Sequence, residues 1–190
     1  MLARHLKTIC YHKYLVAKGC FRVGLYRQGL LHDLSKFSPT EFLVGVRYYQ
    51  GNRSPNNAER EEKGYSESWL HHKGRNKHHY EYWIDYSLKD GQGGCMVPVP
   101  MPDKYIAEMI MDRIAASKVY EGSAYTDRSP LNYYYRGTDR APIHEKTRAK
   151  LLHYLSLLAN EGEEAAFRAI RIELLGKKVP GRDQRGRKRP

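Results

Sequence analysis

The chain is poor in cysteine and has no long apolar run, and both absences exclude whole classes of protein. Its 190 residues include three cysteines, Cys10, Cys20 and Cys95, an odd number without C-x-x-C spacing. A disulfide framework and a zinc ribbon are therefore not expected, and the thiols read as structural groups in a reducing compartment. Nowhere does the sequence offer the roughly 20 consecutive apolar residues that a membrane span requires, and the opening MLARHLKTICYHKYLVAKGC lacks the apolar core of a signal peptide. The expectation is a soluble, cytoplasmic protein. Internal repeats are also missing, and no stretch alternates apolar and polar residues long enough to specify a strand, so the expected fold is all-α.

Positive charge is what the chain has in excess. The formal net charge is +12, but KKVPGRDQRGRKRP at the C-terminus carries seven Lys/Arg against one Asp, half of that excess. Such a segment buries no apolar area, so residues 177–190 are expected to be a disordered basic tail, either solvated without a partner or binding nucleic acid weakly through phosphates. The remaining residues, 1–176, are long enough for one domain with a core and keep enough positive charge to suit an anionic substrate.

Helical periodicity organises that domain. Leu2, Leu6, Ile9, Tyr14 and Leu15, then Cys20, Val23, Leu25, Leu30 and Leu31, recur at helical spacing with Gly19 and Gly24 as candidate breaks, giving two helices before residue 36. Ser38-Pro39-Thr40-Glu41 reads as a helix start with Glu41 closing a capping box, and that helix is expected to reach about Tyr49. Residues 50–65 read as loop, Ser66 to Trp69 as the start of a helix, and 87–100 as an irregular connection. Tyr105, Ile106, Met109, Ile110, Ile114 and Ala115 form an amphipathic helix from Pro102 to about Tyr120, and a further helix runs from Ile143 to Leu158.

The histidines carry the chemistry. Of nine, His5, His12, His32, His71, His72, His78 and His79 fall in the first 80 residues. His5 and His12 are two helical turns apart and share a face; His32-Asp33 closes the second helix; the two His-His pairs bracket a KGRNK turn. Buried aspartate needs a positive partner. With Asp112, one face with Glu108 four residues earlier, these side chains assemble a nitrogen and oxygen ligand set for one or two divalent metals. Adjacent histidines cannot both point inward from one helix, which favours His72 and His79; Glu108 reads as structural. The sixteen tyrosines suit the rim of a small core, with base stacking as the alternative.

At these residues the chain resembles the HD-domain superfamily of metal-dependent phosphohydrolases. "GLLHDLSKF" is similar to that family's "LLHDIGK" element, "HKYLVA" at 12–17 resembles its first-histidine helix, "WLHHKGRNKHH" is like the extra histidine segment of its two-metal members, and "EMIMDRIAASKVY" resembles the helix of its last aspartate. Residues 1 to about 158 resemble still more closely a bacterial and phage family known only as a domain of unknown function, some members of which carry the automatic label catalase. The chain has no haem-ligand tyrosine motif and is short for a haem catalase, and a di-manganese catalase would place glutamates on a four-helix bundle.

The superfamily resemblance implies an HD-like helical bundle with a metal site between helices, holding one or two Fe, Mn, Co or Zn ions. The implied ligands are His5 or His12, with His32, Asp33, His72, His79 and Asp112. His12 matches better by its trailing Val16-Ala17, and His5 by its distance to His32. The implied substrate is a phosphomonoester or nucleotide, attacked by a metal-activated water, with Asp33 orienting the nucleophile and Lys36, Lys73 and Arg75 as phosphate contacts. Lys36, Lys73, Arg75 and Lys77 read equally as a solvated charge run or as phosphate clamps, with support of Asp33 as the other role for Lys36. Three other readings stay open: a di-iron enzyme that activates oxygen, a metal-dependent nuclease, which lacks its expected preceding hairpin, and a nucleic-acid-binding or phage accessory protein with a structural metal.

Overall fold

The computed structural model describes residues 1–89, 94–137 and 140–178. Most of the expected tail, from residue 179 on, lies outside the described residues. Among those described, eight α-helices follow in chain order: α1 (Leu2–Val23), α2 (Tyr26–Leu31), α3 (Pro39–Arg47), α4 (Pro55–Lys63), α5 (Glu67–Lys73), α6 (Asp103–Glu121), α7 (Ser129–Tyr135) and α8 (Glu145–Ala169). The expectation of an all-α chain needs one correction. Ile84–Ser87 (β1) and Cys95–Pro98 (β2) pair antiparallel, with Ile84 opposite Pro98 and Ser87 opposite Cys95. Strands of four residues are too short to show a readable alternation.

In α1 the buried residues His5, Ile9, His12, Val16, Gly19, Cys20 and Val23 fall three and four apart and make one inward stripe. Gly24, at φ 82°, ends the helix and donates its N–H to the carbonyls of Cys20 and Phe21. Gly19 does not break it. There α1 crosses α6 so closely that a Cβ would lie 2.7 Å from the Met111 sulfur. The α6 helix, expected to be amphipathic, is instead the central post: Ile106, Ala107, Met109, Ile110, Met111, Ile114 and Ala115 are all buried, together with Glu108. Its apolar face meets Val16 and Cys20 of α1 and Leu151, Leu155 and Leu158 of α8. Truncating any of these leucines to Ala would cost about 2–5 kcal/mol.

A second, polar-cored layer of α3, α4 and α5 leans on α1. The α4 helix lies inside the stretch expected to be loop. It was hidden because it has no apolar stripe: its buried residue is Glu59, which accepts hydrogen bonds from Ser66 Oγ at 2.6 Å and Lys63 Nζ at 3.2 Å. Its start, Ser54-Pro55, repeats the Ser38-Pro39 arrangement that opens α3. Glu41 does not close a capping box; it is buried and turned toward α5. The last helix runs past Leu158 to Ala169, with a kink at Gly162 (φ 83°). Among the described residues no helix is long and apolar enough to cross a membrane.

Candidate metal centre

A break in the helical backbone makes the centre. After α2 the chain leaves helical geometry at His32 and enters the left-handed region at Asp33 (φ 53°, ψ 30°), before a 3₁₀ turn at Leu34–Phe37. Asp33 is the one non-glycine residue with positive φ among the described residues. Aspartate tolerates that conformation at a cost of order 1 kcal/mol. In return two successive side chains point into the same space, which a continuous helix forbids. Lys13 of α1 fixes the break by donating to the carbonyls of Leu30 at 3.0 Å and His32 at 2.5 Å.

Four other segments converge there. His12 comes from α1, Asp112 and Glu108 from α6, one turn apart, and His72 from α5. Residues 74–79 fold back from the end of α5 and deliver His78 and His79. Asn76 staples that turn, donating its amide to Ser35 Oγ and to the His72 carbonyl, each at 2.8 Å.

Asp33 sits at the middle with its two oxygens facing different neighbours. Its Oδ2 lies 3.3 Å from His32 Nε2 and 3.8 Å from His12 Nε2, and His12 Nε2 is 3.0 Å from Asp112 Oδ1. Its Oδ1 lies 3.3 Å from His72 Nε2 and 3.4 Å from His78 Nε2. His79 closes on this second group, its Nε2 2.8 Å from that of His72. Two ligand sets share Asp33: His12, His32, Asp33 and Asp112 on one side and Asp33, His72, His78 and His79 on the other, each with its ligand atoms within 4.8 Å of one another, and His32, His78 and Glu108 form a third group of the same kind.

The residues fit a metal by a direct test. Five inward atoms, His12 Nε2, His32 Nε2, His78 Nε2 and both oxygens of Asp33, are buried without a hydrogen-bond partner. Lys36 Nζ pairs with Asp33 Oδ2 at 2.6 Å, so one of the five atoms has a cation beside it. Each orphaned buried polar group costs about 1–3 kcal/mol, so five in one place make a site that a cation would relieve. The outward ring nitrogens, by contrast, are held. His32 Nδ1 and His78 Nδ1 lie 3.0 and 3.3 Å from Glu108 Oε1, and His72 Nδ1 lies 2.8 Å from Glu41 Oε2. A carboxylate behind an imidazole fixes the tautomer and turns the other nitrogen toward a metal.

Electrostatics favour positive charge at the same place. Burial alone would raise the carboxyl pKa of Asp33, but the charges of His32, Lys36 and His72 outweigh it and hold the group well below its ordinary value. Burial is likewise outweighed at Asp112 by the neighbouring imidazoles of His12 and His32, 3.0 and 3.5 Å from its Oδ1, which hold the carboxyl well below its ordinary value. His32 is pushed well above its ordinary value because Asp33, Asp112 and Glu108 outweigh its burial. His12 is lowered by burial and by Lys36, and His79 by burial and by His78. A metal ion binding here competes with the proton on His32.

Of the residues expected at a site, His12, His32, Asp33, Lys36, His72, His79 and Asp112 come together. His5 does not join them. It is buried between α1 and α3 against the rings of Phe42 and Tyr49, and packs so closely on Gly45 that a Cβ there would lie 2.1 Å from its Nε2. Arg75 is exposed and donates to the His71 carbonyl at 3.3 Å, Lys73 is half-buried, and Lys77 is exposed with its ammonium over the Tyr82 ring. His78, Glu108 and Glu41 belong to the cluster although the sequence did not single them out as ligands or supports. The expectation of one inward histidine per pair presumed a continuous helix, and α5 ends at Lys73, which frees both His78 and His79 to face inward.

A mostly helical chain with a buried histidine–carboxylate cluster is the class these features define. The chain belongs to a family of unknown function, DUF5662, whose profile matches residues 1–157 and so spans every member of the cluster. No curated protein and no solved structure matches it.

Proposed function

We propose that the chain is a metal-dependent phosphohydrolase of the HD-domain type, binding two divalent transition metal ions (Fe, Mn, Co or Zn) and acting on a phosphomonoester or nucleotide. The observation that carries this reading is Asp33, whose two oxygens face separate sets of imidazole nitrogens. A pair of such ions supplies a water acidified from near 16 to about 7 and positive charge for phosphoryl oxygens. The chain's own residues do the rest. Asp33 stays ionised and holds the two halves in register. Lys36, its side chain 31% exposed, reaches from solvent to Asp33 and brings an ammonium to the open side of the site, where a phosphoryl group would arrive. Asp112, 17% exposed, marks that same open side, while His32 and His78 form a floor closed to water.

The test is a phosphomonoester and nucleotide panel assayed with metal-loaded protein. Hydrolysis of at least one substrate is expected, and Lys36→Gln should lower its turnover by a factor of about 10² while metal content holds. A second reading, oxygen activation by two irons, is favoured by the nitrogen-rich second set of three imidazoles, His72, His78 and His79. Two bound irons with an oxo-bridged spectrum and no hydrolysis across the panel would select it.

A further inference from the structure

We propose that Glu108 is a positioning residue shared by both halves of the centre, so that the two metal sites are tuned by one carboxylate behind them as well as by Asp33 between them. This inference rests on the two-metal reading and deepens it. One oxygen, Glu108 Oε1, meets His32 Nδ1 at 3.0 Å and His78 Nδ1 at 3.3 Å. His32 belongs to the first ligand set and His78 to the second. A carboxylate oxygen only accepts, so both rings carry a proton on Nδ1, and Nε2 is the nitrogen left to face a metal. Those two nitrogens lie beside opposite oxygens of Asp33, at 3.3 and 3.4 Å. The four side chains therefore close a ring, Asp33 to His32 to Glu108 to His78 and back to Asp33, with the imidazole centroids 4.4 Å apart.

Glu108 is anchored for this role. It is 5% exposed on α6, the helix at the centre of the apolar core, one turn before Asp112, so the same rigid element delivers a ligand and the group that aims two others. Glu41 differs in a useful way. It backs His72 at 2.8 Å and His71 at 2.6 Å, and of these only His72 is in a ligand set. Glu41 thus serves one half, and Glu108 serves both.

Cobalt(II) titration of the full chain, followed by absorption and by calorimetry, separates the two roles. The wild type should take up two equivalents. Glu108→Gln should weaken both by about 10- to 100-fold, the usual loss when a carboxylate behind a metal-bound imidazole is neutralised. Glu41→Gln should weaken one and spare the other. Loss at a single site, or at neither, in Glu108→Gln overturns the assignment. Should that variant fail to fold, nitrogen-15 histidine spectra of the cobalt-free and zinc-loaded wild type decide: His32 and His78 must both be protonated at Nδ1, and either one found otherwise overturns it. Uptake of no cobalt by the wild type overturns the two-metal reading and this inference with it, whereas two-equivalent uptake with an insensitive Glu108→Gln overturns the Glu108 assignment alone.

Discussion

Two histidines seven residues apart on one face of α1 are chemically alike and structurally opposite. His12 Nε2 is an orphaned atom 3.0 Å from Asp112, whereas His5, its Nδ1 likewise without a hydrogen-bond partner, is wedged against Phe42, Tyr49 and Gly45 away from the cluster. His12→Ala should therefore reduce metal content with little change in melting temperature, and His5→Ala should lower the melting temperature, its stability falling by the few kcal/mol typical of a large-to-small core change, while metal content stays at the wild-type level. Elemental analysis beside thermal unfolding reads both. Periodicity could not choose between them, since both lie on the inward stripe; the choice comes from which helix the stripe meets at each turn, α3 at His5 and α6 at His12. His32-Asp33 was legible because a buried aspartate at a helix end needs a positive partner wherever it folds. Glu108 was not, because its task is set by two imidazoles 76 and 30 residues away in sequence.

Elements built on apolar stripes were readable and those built on polar cores were not. Helices α1, α3, α6 and α8 have strong apolar periods or helix-start residues, whereas α4 rests on one buried glutamate and the hairpin on four-residue strands. The turn at 74–79 shows the functional consequence. Its sequence, basic and flanked by histidines, reads as a phosphate clamp, but Asn76 ties it down so that His78 faces inward while Arg75 and Lys77 are exposed. Arg75→Gln with Lys77→Gln should accordingly leave turnover on a phosphomonoester and metal content within about twofold of the wild type, because exposed charges away from the reacting group contribute little. A loss comparable to that expected for Lys36→Gln would show that the turn closes over substrate. Gly19 ties elements together in another way: a side chain there meets the buried Met111 side chain across the α1–α6 crossing, and a large one needs more room than Met111 leaves. Gly19→Leu should cost about 1–3 kcal/mol of stability by overpacking and also lower metal content, since His12 and Asp112 sit on the two helices it would separate.

At the scale of the whole molecule, an apolar core of α1, α6 and α8 holds a polar, charged centre at its edge, so core stability and site chemistry respond to different conditions. Asp33, Asp112, Glu41 and Glu108 all titrate below their ordinary values in the folded chain. A carboxyl with a depressed folded pKa adds stability above its unfolded value, near 4, and loses it as pH falls through the folded value. The metal-free protein should therefore lose melting temperature on going from about pH 5 to pH 3, and Asp33→Asn, which keeps the left-handed backbone acceptable, should make that slope shallower. An identical slope in the variant would remove Asp33 from the acid response. The central claim is that two metal ions sit on either side of Asp33, and elemental analysis of protein purified without added metal, then reconstituted and desalted, tests it most directly. Two equivalents per chain are predicted for the wild type, with both lost in Asp33→Asn while far-UV circular dichroism stays helical; no bound metal after reconstitution, or two equivalents retained in Asp33→Asn, would contradict it.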